Sequence, residues 1–124
     1  MSTFMLFLIA LFIFCEGGSI VSAEFYRLLR IQQRDNNVSK ENKAMSDFSL
    51  VVNLAYVIVC IYSVIHYPGI TRYCWAGLFA MGFFKSALAS NSLENKVKYN
   101  IITIIDSSIS IILLLIIFIS NLPN

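Results

Sequence analysis

The chain has 124 residues, 58% hydrophobic and 13% charged, with three cysteines, one histidine and a net charge of +2. A soluble domain of this size carries about a quarter charged residues, so a mean hydropathy of +0.76 points to a small polytopic membrane protein with no separate soluble domain. So small a charge, with no aromatic-basic tract beside it, excludes a nucleic-acid partner.

The first apolar run covers residues 4–23. Val21-Ser22-Ala23 resembles a cleavage site, but no Lys or Arg precedes the run and Glu16-Gly17-Gly18 interrupts it, so a retained first span is expected. Gly17 and Gly18 are candidates for close helix packing. Residues 24–35 continue as a basic amphipathic extension, with Arg27, Arg30 and Arg34 at i, i+3 and i+7. That stripe suits anionic headgroups, or more simply a helix end that fixes topology. Asp35-Asn36-Asn37 ends it, residues 40–44 form a polar connector, and Asp47 is the expected N-cap of the next helix.

The second run covers residues 48–67. Ser49, Asn53, Tyr56, Cys60, Ser63 and Tyr67 recur at intervals of four and three, which places them on one helix face. Tyr67-Pro68-Gly69 predicts a tight turn, and Tyr67, Tyr73 and Trp75 mark a membrane-water interface. The third run, residues 73–90, carries Lys85 and is rich in small residues. Ala76 with Ala80, and Gly82 with Ser86 and Ser90, are spaced for close helix approach. The fourth run, residues 100–120, is Ile and Leu except for Phe118 and a few polar residues near its start. Four of these, Thr103, Asp106, Ser107 and Ser110, lie at i, i+3, i+4 and i+7, so they form one stripe that faces protein.

The expected fold is therefore an all-α membrane protein, a single antiparallel bundle of four transmembrane helices. The first and third connectors hold most of the basic residues, so they are placed in the cytoplasm, with the N- and C-termini outward. At about 1.5 Å per residue, Lys85 and Asp106 then lie at one depth, about 9 Å into the membrane, with Asn53 and Glu16 in the same band. This buried polar layer predicts a Lys85–Asp106 ion pair, with Glu16 neutral and hydrogen-bonded to Asn53. The layer serves either to fix helix register or to line a path for a proton, an ion or a solute.

Cys15, Cys60 and Cys74 form no CxxC, and His66 has no ligand partner in sequence, so neither a metal nor a cofactor is expected. No nucleophile-base pair can be assembled, which argues against an enzyme.

Tyr26-Arg27-Leu28-Leu29-Arg30 follows the first span, and Asn53-Leu54-Ala55-Tyr56 comes early in the second. An aromatic-rich turn with Trp75 and a polar segment ending Asn95-Lys96-Val97 come after them. Over residues 26–98 this pattern resembles the small phage holins with several membrane spans; the last span lies beyond it. The resemblance implies a phage- or prophage-encoded protein that oligomerises in the bacterial inner membrane and permeabilises it to release an endolysin. Partners on this reading are the lipid bilayer and further copies of the chain. An accessory subunit docking on other membrane proteins, and a small channel or carrier gated through Glu16 and Asp106, are the alternatives.

Overall fold

A computed structural model describes residues 2–122, which form five helices and no strand. They are α1 (Thr3–Val21), α2 (Ala23–Arg34), α3 (Lys43–His66), α4 (Ile70–Ser90) and α5 (Lys96–Ser120). Three of them, α1, α3 and α5, are long and apolar enough to cross a membrane. The fourth long helix, α4, has 21 residues but a less apolar sequence.

The helix ends follow local chemistry. The Ser2 side chain accepts from the Met5 amide at 3.2 Å and caps α1. The helical path breaks at Ser22, whose φ of −114° and ψ of 32° leave the α region, so the basic extension is a separate helix. Asn36, with φ of 53°, turns the chain out of α2. Contrary to expectation, α3 begins before Asp47, at Lys43. Gln33 donates to Ser46 Oγ at 2.8 Å and Asn42 to Gln32 Oε1 at 3.2 Å, and these bonds hold the extra turn against α2. Gly69, at φ of 70°, makes the sharp reversal between α3 and α4 that a side chain would strain. The Asn95 side chain accepts from the Lys98 amide at 3.1 Å and starts α5 four residues before the apolar run.

Helix α5 is the centre of the molecule. It packs against α1, α4 and α2, while α3 packs on α4. Two contacts set the α4–α5 register: Asn121 Nδ2 donates to Thr71 Oγ1 at 3.1 Å, and Lys85 Nζ lies 3.6 Å from Asp106 Oδ2. The two contacts are spaced almost equally along the two helices, so these run antiparallel side by side over most of their length. The fourth side of the bundle is open by comparison, and α1 meets α3 mainly through the Phe12 and Tyr56 rings, stacked at 4.4 Å.

The interior has two tiers. One half is apolar: Met5, Ile9 and Phe12 of α1 meet Cys60, Cys74, Trp75, Leu78, Leu114 and Ile117. The other half holds the polar residues, and Leu93, Tyr99 and Ile31 pack together beneath it. The small residues of α4 make no close helix contact in either tier, although Gly82 and Ser86 border the polar half. Ala76, Ala80, Gly82 and Ser86 are all exposed, because α4 turns Thr71, Cys74, Trp75 and Leu78 inward instead. Gly17, Gly18 and Gly82 likewise have open space where a Cβ would stand; only Gly77 meets a neighbour, Leu113, at 3.5 Å. The expected close approaches at Gly17, Gly18 and the α4 pairs are thus absent within the chain.

Candidate functional site: a polar cavity between the helices

The α5 stripe lies inside the bundle. Thr103, Asp106, Ser107 and Ser110 are each at most 7% exposed. Their spacing requires this: the four share one face of α5, and apart from Ser108 the rest of the helix middle is Ile and Leu. Lys85 reaches Asp106 from α4, at an ion-pair distance longer than a charge-assisted hydrogen bond, about 2.8 Å. Asp106 Oδ1 is left with no hydrogen-bond partner among the described residues.

Glu16 joins the pair from α1. It lies within electrostatic reach of Lys85 and Asp106 and beside Ser107 and Tyr56. Glu16 Oε2 and the hydroxyls of Tyr56, Ser63, Thr103 and Ser107 are buried without a hydrogen-bond partner among the described residues. Glu16, Tyr56 and Asp106 lie around one space, and unmet polar atoms so grouped mark a hydrated or ligand-binding interior rather than a packed core.

That space is a cavity of about 240 Å³, whose walls include Glu16, Arg30, Asn53, Tyr56, Lys85, Asp106 and Ser110. A second chamber of about 100 Å³ lies towards the α1–α2 junction and the start of α3, lined by Ser19, Tyr26, Phe48 and Ser49 among others. Glu16, Arg30, Asn53, Tyr56 and Lys85 border both. The four layer residues expected from depth counting therefore line one space. One detail differs: Asn53 is exposed and makes no hydrogen bond to Glu16, because α3 stands off from α1 at this level.

The basic stripe of α2 also departs from expectation. Arg27 donates to both Glu24 carboxylate oxygens, at 3.0 and 2.7 Å, and to the Leu93 carbonyl at 2.7 Å. Arg34 pairs with Asp35 at 3.1 Å and with Glu94 at 2.9 Å. Arg30 borders the two chambers. The three arginines thus serve the connector and the cavity, and do not form a free strip for headgroups. The place of Arg30 was missed in the sequence, although a signal existed: it alone of the three has no acidic residue within four positions.

Glu24 lies outside the apolar runs. Its carboxyl is held down at about 2, chiefly by the Arg27 hydrogen bonds and further by Asn100, which donates to it at 3.3 Å.

Comparison with protein families, with characterised proteins and with solved structures gives no match to this chain.

Proposed function

We propose that the chain is a non-enzymatic integral membrane protein that oligomerises and permeabilises a bilayer, in the manner of a phage holin. Its spans are α1, α3, α4 and α5, and both termini face outward from a bacterial inner membrane. The observation that carries this reading is the outer surface of α4. Ala76 and Ala80 are exposed within the span of this helix, one turn apart. Small residues let a second helix approach closely. A second copy packed there leaves the open side between α1 and α3 facing a shared lumen. Controlled expression in bacteria is expected to collapse the membrane potential abruptly. Normal growth at high expression removes the reading, and stoichiometric co-purification of another membrane protein replaces it with an accessory role.

A second reading, a small carrier or channel acting within one chain, is favoured by the polar cavity between the helices. On that reading Glu16→Gln shifts pH-dependent flux in liposomes; unchanged flux discards it.

A further inference from the structure

We propose that the cavity at the polar layer is a binding site for a small zwitterion, a molecule carrying an ammonium group and an oxyanion. The site lies within one chain, so it does not rest on oligomerisation. Four charged side chains reach its walls from four helices: Glu16 from α1, Arg30 from α2, Lys85 from α4 and Asp106 from α5. Lys85 and Asp106 face each other and largely neutralise one another. Arg30 and Glu16 remain, a guanidinium and a carboxyl group, and neither forms an ion pair among the described residues; a bound ammonium group holds Glu16 in its ionised form.

Simpler ligands leave part of this charge unmet. A cation meets Glu16 but is repelled by Arg30 and Lys85 on the same walls. An anion meets Arg30 but is repelled by Glu16 and Asp106. A neutral solute gives neither the Arg30 guanidinium nor the Glu16 carboxyl a partner of opposite charge. A zwitterion answers both: its oxyanion takes the planar fork of Arg30, and its ammonium takes the carboxylate side. Asp106, 7% exposed, supplies the second observation, since its Oδ1 has no partner and it lines the cavity. Glu16 Oε2 and the Tyr56 hydroxyl add two more unmet oxygens.

Size and wall chemistry narrow the class. A cavity of about 240 Å³ has the room of about eight waters at ~30 Å³ each, which suits a small molecule rather than a drug-sized one. Val57, Leu78, Phe79 and Phe83 also line the cavity, so the ligand carries a hydrocarbon part. Both a free amino acid and the ethanolamine headgroup of a phospholipid have this chemistry.

The test uses the full chain in nanodiscs of phosphatidylglycerol, which has no ammonium group. Thermal unfolding and calorimetry are read with leucine, γ-aminobutyrate, butylamine or butyrate, and separately with phosphatidylethanolamine added to the disc. Leucine or γ-aminobutyrate is expected to raise the Tm and to bind at least tenfold more tightly than butylamine or butyrate. Arg30→Gln and Glu16→Gln each weaken that binding at least tenfold, and Arg30→Lys restores part of it. Stabilisation by phosphatidylethanolamine alone, lost in the same variants, identifies the lipid headgroup as the source. Butylamine or butyrate binding as well as the zwitterions overturns the proposal, as does no response to any probe. Should a glutamine variant fail to fold, the comparison of the four soluble probes on the unsubstituted chain decides alone. Expression-induced depolarisation is scored separately, so loss of either property leaves the other standing.

Discussion

Asp106 has one oxygen 3.6 Å from Lys85 and the other unpartnered, which makes the pair sensitive to the loss of either member. Removing Lys85 alone strands a carboxylate whose side chain is only 9% exposed, whereas removing both leaves apolar neighbours in contact. Lys85→Met is therefore expected to destabilise the protein by about 3 kcal/mol, and Lys85→Met with Asp106→Leu by less. Unfolding of the two variants in matched detergent checks this; a less stable double variant rules out the pairing. The residues of this pair were legible in the sequence because periodicity along α5 and depth along α4 are both set by helix geometry. Arg30 was not, since a long side chain at a helix end can point several ways, and periodicity fixes the Cβ direction rather than the place of the guanidinium.

At the scale of elements, α2 is a clamp on the α4–α5 connector. Arg27 joins Glu24 to the Leu93 carbonyl, Asn100 reaches Glu24 from α5, and Arg34 reaches Glu94. The Glu24 carboxyl, held down to about 2 from an ordinary 4.5, contributes fully above pH about 4.5 and loses its contribution as pH falls towards 2. The amides of α2 are thus expected to lose hydrogen-exchange protection relative to α1 across that window. Glu24→Gln should flatten the change; an identical loss in Glu24→Gln places the acid sensitivity elsewhere. This clamp was hidden in the sequence because its partners lie far apart in the chain, while the amphipathic pattern of α2 was plain. The small residues of α4 were equally plain, but their spacing says only that a helix can come close, not which helix does. Within the chain Trp75 and Leu78 take the inner face instead, and Ala76 and Ala80 stay outside. Ala80→Phe is accordingly expected to leave the stability of one chain within about 0.5 kcal/mol while weakening self-association, measured by crosslinking in membranes. Unchanged crosslinking with Ala80→Phe moves the interface away from α4.

For the whole molecule, the register between α4 and α5 bears directly on topology. Composition alone singles out α1, α3 and α5 as able to cross a membrane. Yet α4 lies beside α5 from Thr71, bonded to Asn121, to Lys85, paired with Asp106. Its 21 residues extend about 31 Å, close to the ~30 Å thickness of a hydrocarbon core. A helix bound along the length of a spanning neighbour shares its depth, so α4 is the fourth proposed span despite the lower hydropathy that Arg72 and Lys85 impose. Lys85 can be tolerated there because it meets Asp106, and Arg72 because it lies in the first turn of the helix, where its Nε donates to the Tyr67 carbonyl at 3.1 Å. Four spans put both termini on one side; three put them on opposite sides. In a background carrying Cys15→Ala, Cys60→Ala and Cys74→Ala, an impermeant maleimide added to intact cells is expected to label Pro68→Cys and Ser120→Cys. Ser39→Cys and Asn91→Cys, in the basic connectors, should react only after lysis. Labelling of Asn91→Cys in intact cells with Ser120→Cys protected shows that α4 stays on one side of the membrane, and the four-span topology then falls.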